Sequence, residues 1–157
     1  MIQPIYLYGS EVLRRKAEDF DLNDKEGLAT LVQDLKETLK VSDGCGLAAP
    51  QVGVLRRVVV VETEPGEVYE LINPEITNRH GTQRVLEGCL SIPGKQGFTV
   101  RPEQVTVRAL ARDGKTYEYT AHGLLAQAFC HEIDHLDGIL FTDHAEMLTP
   151  QAHTKEN

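Results

Sequence analysis

No apolar run in this chain approaches the roughly 20 residues that a membrane-spanning helix needs. Met1-Ile2-Gln3-Pro4 opens neither a basic n-region nor a long apolar h-region, so the expected location is the cytoplasm and no membrane partner is expected. Cysteine is scarce. Cys45, Cys89 and Cys130 are an odd number at irregular spacing, which disfavours a disulfide framework and leaves thiols available for chemistry. Positive charge is also short: 16 Lys plus Arg stand against 24 Asp plus Glu, a formal net charge of −8. That balance argues against non-specific attraction to nucleic acid or to an anionic membrane. Internal repeats, low-complexity tracts and Pro/Gly/Ser linkers are missing as well, so nothing divides the 157 residues into two cores. With 41% apolar residues, the chain can bury a real core as one domain.

Leu28, Leu31, Val32, Leu35 and Leu39 recur at helical spacing, and Asn23 with Glu26 resembles a capping box, which predicts a helix over about 24–40. A shorter helical stretch is expected at 11–16, behind Ser10. Segment 42–53 stops the helical period with glycines and supplies small residues that let backbones approach. Strand-like runs follow at 57–62, 67–72 and 104–110, and Asp113-Gly114 predicts a hairpin turn into 115–119. The middle of the protein is therefore expected to be antiparallel β. Leu124, Leu125, Ala128, Phe129 and Leu136 predict a second helix over 123–136, with Gly138 as its stop.

That second helix carries His131-Glu132-Ile133-Asp134-His135. Positions i and i+4 project about 40° apart, so both imidazoles can face one metal ion, while Glu132, about 100° from His131, stays near without having to be a ligand. A catalytic site of this kind needs three protein ligands and an open position for water, so the third ligand decides the chemistry. Metzincin proteases continue the motif to a Gly and then a third His. Gly138 is in place here, but Phe141 stands where the His belongs. Gluzincins take a downstream Glu, and Glu146 follows too closely for the usual second helix. Cysteine is the better donor, because thiolate is a strong ligand for Zn or Fe(II). Cys130 points about 100° away from His131 and reads as a small core residue. Cys89 is favoured over Cys45 because Gly88 lets the backbone turn, but spacing alone does not choose between them. His122 and His144, near helix ends, read as surface or capping residues.

Three separated segments resemble the three signature motifs of the peptide deformylases, in the family's order and spacing: Gly44-x-Gly46-Leu47-Ala48-Ala49-x-Gln51, Glu87-Gly88-Cys89-Leu90-Ser91 and His131-Glu132-x-x-His135. The likeness covers nearly the whole chain. It implies a compact α+β single domain of antiparallel strands around a central metal-binding helix, with an N-terminal helix, over 1–148, ahead of a short polar tail at 149–157. The implied activity is that of a metallohydrolase that removes the formyl group from N-formylmethionyl nascent peptides and releases formate. Cys89, His131 and His135 then hold the metal, usually Fe(II) in the family, with Zn, Ni or Co able to occupy the site.

By the same resemblance, Glu132 takes a proton from the metal-activated water and passes it to the leaving amine. The Gln51 amide and the Leu90 N–H face the negative charge that develops on the formyl oxygen. The Gly46 backbone is expected to pair with an extended peptide, and Val85, Leu124 and Ala128 to line an apolar pocket for the methionine side chain. Glu87 is expected to orient a ligand imidazole or to pair with Arg101, against the alternative of a solvated carboxylate. Gln127 and Cys130 depart from the Arg and Gln that the family often shows there. The stretch 149–157 is too short and polar for the basic C-terminal helix with which some members dock on ribosomes, so ribosome docking by that route is not expected and any contact is expected to be transient. Non-specific nucleic-acid binding is not expected. Two other readings share part of this motif set. One is a zincin-like metallopeptidase with a different third ligand; the other is a non-catalytic domain whose structural metal is closed by a fourth ligand such as Cys45 or His122.

Overall fold

The period that begins at Leu28 forms α1 (Lys25–Lys40), and the computed structural model, which describes residues 1–148, buries Leu28, Leu31, Val32, Leu35 and Leu39 on one face of it. The stretch 149–157, expected as a tail, lies outside the described residues. The helix cap falls one residue later than expected. Asp24 accepts the Gly27 N–H at 2.9 Å, whereas the Asn23 N–H turns back to the Asp21 carboxylate. Gly27 makes this cap fit, since a Cβ there would run into the Asp24 carboxylate. The helix expected at 11–16 shrinks to one 3-10 turn, Glu11–Arg14, anchored by buried Leu13.

Eight strands follow among the described residues: β1 (Gly46–Ala48), β2 (Val58–Val61), β3 (Tyr69–His80), β4 (Gln83–Cys89), β5 (Ile92–Arg101), β6 (Gln104–Leu110), β7 (Thr116–His122) and β8 (Glu146–Met147). The second helix, α2 (Gly123–Leu136), has the bounds that its sequence predicts. One sheet has the order β1-β2-β3-β6-β7 and a smaller one the order β4-β5-β8, and neighbouring strands in both run antiparallel.

The four valines of β2 explain how the large sheet sits. Successive side chains on a strand point to opposite faces. Val58 and Val60 join Leu47 and Ile72 in the core against α1, while Val59 and Val61 join Leu71, Val105 and Val107 in the core against α2. All four are fully buried. The sheet is therefore covered by α1 on one face and by α2 on the other. Because α2 is packed between the sheet and the remaining chain, Ala126, Ala128, Phe129, Cys130, Ile133 and Leu136 are all buried along its short length.

The hairpin from β6 to β7 forms as predicted, with Leu110 opposite Thr116. Its loop is wider than a two-residue turn: Ala111 N–H bonds the Lys115 carbonyl, and Gly114 takes a left-handed φ of 83°. Four strands went unread in the sequence: the short β1 and β8, and the longer β4 and β5. β4 and β5 carry Gly88, Gly94 and Gly97 and leave most positions exposed or half-exposed, so their apolar alternation is weak. Strand β3 also runs to His80, well past the expected 72, through register shifts that begin where Asn73 takes a φ of 51°.

Candidate metal centre

One turn of α2 brings His131 and His135 together, with ring centroids 5.0 Å apart. Cys89 ends β4, where the pairing with β5 shifts register between Glu87 and Cys89, and its Sγ lies 3.4 Å from His135 Nε2. Ligand atoms of Cys89, His131 and His135 all fall within 4.8 Å of one another. Gly88 works through this irregularity rather than through close approach, since a Cβ there would meet its nearest neighbour, the Lys95 carbonyl, at an ordinary 3.6 Å. Folding thus chooses between the cysteines that spacing left open. Cys45 lines the cleft outside the cluster, and Cys130 is a buried thiol that burial pushes up to about 11.

Glu87 performs both of its expected roles at once. Its Oε2 lies 2.5 Å from His131 Nδ1, and the same carboxylate accepts from Arg101 and, at 2.7 Å, from the Thr99 hydroxyl. Arg101 continues to Asp134 at 2.8 Å, which ties the guanidinium back to α2. Burial pushes the Glu87 carboxyl up, but the hydrogen bonds from His131 and Arg101 outweigh it and hold the group well below the usual carboxylate range. A carboxylate on Nδ1 fixes the ring orientation and leaves Nε2 for a metal. Thr99 and Asp134 were not singled out from sequence, because nothing local marks Thr99, on another strand, as a partner of Glu87, or Asp134, on α2, as a partner of Arg101.

Glu132 sits directly beside the cluster, and burial holds its carboxyl up to about 7. Its Oε1 is buried without a hydrogen-bond partner among the described residues. Gly46 is what makes room for it, since a Cβ there would lie 2.6 Å from Glu132 Oε2. Gln51, buried to 1% exposure, accepts the Ala48 N–H on Oε1 at 2.9 Å and turns Nε2 toward Cys89 Sγ at 3.7 Å. Leu90 follows Cys89, and its side chain packs over Gly44, where a Cβ would be 2.8 Å from Leu90 Cδ1. The two glycine-bearing loops are therefore interlocked around the centre.

The donors fit a divalent transition-metal ion: one thiolate and two imidazoles suit Zn or Fe(II) better than Mg or Ca. Burial lowers the His135 pKa, with His131 adding to it, so that ring is neutral as a ligand must be. At His131 burial acts in the same direction but is outweighed by Cys89, Glu132 and Glu87, so negative charge gathers where a cation would sit. If Glu87 orients that ring, Glu87→Gln should weaken metal binding roughly 10- to 100-fold while the protein stays folded. Competition against a chelator measures this, and unchanged affinity would limit Glu87 to anchoring Arg101.

A cleft of about 640 Å³ opens onto the centre and is lined in part by Cys45, Gly46, Leu86, Leu124, Gln127 and Ala128. Gly46, Leu124 and Ala128, expected at the substrate, do line this cleft. Val85 does not line the cleft; its neighbour Leu86 does, because adjacent strand residues point to opposite faces and the strand was not recognised in the sequence. Gln127 spans from α2 to the Leu86 carbonyl at 3.1 Å. His122 pairs with Gln104, Glu146 with Arg84, and His144 is exposed, so none of them joins the cluster. Phe141, at the place of a metzincin histidine, is buried with its ring 6.1 Å from that of His131.

The third candidate donor comes from a strand end ahead of the helix rather than from downstream of it, an arrangement unlike that of the zincin peptidases, and the cluster beside an open cleft fits a metal-dependent hydrolase. The sequence model of the polypeptide deformylase family matches residues 2–151. A peptide deformylase of Acetivibrio thermocellus is 53% identical over 135 residues, 86% of this chain and 78% of that protein. The crystal structure of a peptide deformylase from Legionella pneumophila superposes with a TM-score of 0.88 at 42% identity, covering 98% of this chain and 90% of that one. A class I type b peptide deformylase from Acinetobacter baumannii, solved with Met-Ala-Ser bound, gives a TM-score of 0.88 at 31% identity over 92% of this chain and 98% of that one. The chain belongs to the polypeptide deformylase family, enzymes that remove the formyl group from newly made peptides.

Proposed function

We propose that this chain deformylates N-formylmethionyl peptides with Cys89, His131 and His135 as metal ligands, Glu132 as base and then acid, and Gln51 with the Leu90 N–H as oxygen-stabilising donors. The observation that carries this reading is the three-donor cluster with Glu132 next to it at the inner end of an open cleft. Fe(II) is the proposed ion in the cell, with Zn, Ni or Co as substitutes. Bound there, such an ion would act as a Lewis acid that makes a water molecule nucleophilic near neutral pH.

The chain's own residues supply the rest. Glu132 takes the water's proton and delivers it to the amine that leaves, a transfer helped by a carboxyl held near neutrality. As the formyl carbon becomes tetrahedral, its oxygen gains negative charge, and the Gln51 amide and Leu90 N–H oppose it. Gly46, which has no side chain to block the approach, offers its backbone to an extended peptide. Leu86, Leu124 and Ala128 form the apolar wall for methionine, and the Met-Ala-Ser peptide bound by the Acinetobacter enzyme supports a short linear substrate. No helix among the described residues is long and apolar enough to cross a membrane, and we place the activity in the cytoplasm, on chains leaving the ribosome, with 1–148 as the catalytic domain. Contact with the ribosome is proposed as transient.

Protein loaded with Fe(II) or Ni(II) under anaerobic conditions should release formate from formyl-Met-Ala-Ser. Failure to detect formate with fully loaded protein would count decisively against the assignment.

A further inference from the structure

Terminal amide torsions of glutamine are broad, so a side chain of this kind points one way only if both of its ends are held. At Gln51 the oxygen end is held by the Ala48 N–H. The nitrogen end donates to the Ser91 hydroxyl at 3.1 Å, and Ser91 is fully buried, so bulk water does not supply a substitute acceptor. Each loop is also fixed through its main chain by one N-terminal segment: Tyr6 N–H donates to the Gln51 carbonyl and Tyr8 N–H to the Ser91 carbonyl, both at 2.8 Å. Gly53 closes the first loop against the Tyr6 ring, 2.8 Å from where a Cβ would stand.

We propose that Ser91 is a positioning residue for deformylation, engaging one N–H of Gln51 so that the other is presented to the formyl oxygen. This rests on the reading of Gln51 as an oxygen-stabilising donor. An amide carries two N–H bonds. With one on Ser91 Oγ, the other lies on the side of Cys89 Sγ, 3.7 Å from Nε2, which is the side of the metal centre. Without the hydroxyl, the amide is held at its oxygen end alone and its donor direction is lost.

The test is a double-mutant cycle on formyl-Met-Ala-Ser with metal content measured for each protein. Ser91→Ala should lower kcat roughly 10- to 100-fold with little change in KM and with metal retained, because the donor acts in the transition state. In a Gln51→Ala background the same change should cost less than about 2-fold, since a residue that acts through another is silent once its partner is gone. Ser91→Thr, which keeps the oxygen, should recover most of the loss, and Ser91→Cys serves as the second variant if alanine prevents folding. Equal losses in the two backgrounds, or wild-type kcat in Ser91→Ala, overturn the proposal for Ser91 and leave Gln51 standing. Wild-type turnover in Gln51→Ala alone overturns both.

Discussion

Cys89→Ala is expected to purify without stoichiometric metal and to release no detectable formate. The centre has three protein donors among the described residues, and the other two are imidazoles on one turn of α2. Zinc-site binding energies of about 10–16 kcal/mol shared over four donors amount to roughly 2.5–4 kcal/mol for each, so losing the thiolate should weaken binding about 10²- to 10³-fold. Removing the sulfur leaves only a small gap behind, because Cys89 is only half-buried and packs at the edge of the small core with Leu13 and Phe141. The variant should therefore fold. Its melting temperature should stop responding to added metal, since the wild-type response comes from ligand binding to the native state. Elemental analysis beside the formate assay checks both halves, and a metal-replete, active Cys89→Ala protein would sink the ligand assignment.

Glu132→Gln separates holding the ion from using it. Glu132 is not one of the three clustered donors, and glutamine keeps the shape that Gly46 accommodates. Metal content should stay at the wild-type level while kcat falls roughly 10²- to 10⁴-fold, the usual contribution of a positioned base. Glu132→Ala should lose turnover at least as severely and also leave a space against Gly46, so the two variants together distinguish proton transfer from packing. Steady-state rates within a few-fold of wild type in Glu132→Gln would show that the proton is taken elsewhere.

Local pattern carried part of this structure and no more. The bounds of α2 and the β6–β7 pairing were legible because their periodicity is strong and their contacts are close in sequence. The first helix was legible too, but not its cap, because Asn23 and Asp24 are both good capping residues and only the space beside Gly27 selects Asp24. β4 and β5 were not legible: they form the smaller, exposed sheet, where side chains alternate weakly and glycines interrupt. Missing β4 is what misplaced the pocket wall from Leu86 to Val85.

The sequence by itself determined the two histidines and the carboxylate of the centre, since a helix turn carries them at a spacing that needs no other part of the chain. It also disfavoured a disulfide framework and ruled against metzincin chemistry at Phe141. Spacing left the third ligand open and the family resemblance pointed to Cys89, but only the tertiary structure brings its thiol to the two histidines, lets Glu87 grip His131 and Arg101 together, and makes Ser91 meet Gln51. Those contacts join residues 14 to 46 positions apart, on separate strands, loops and a helix. Periodicity reports which way a side chain faces within its own element, and it carries no information about which element lies opposite.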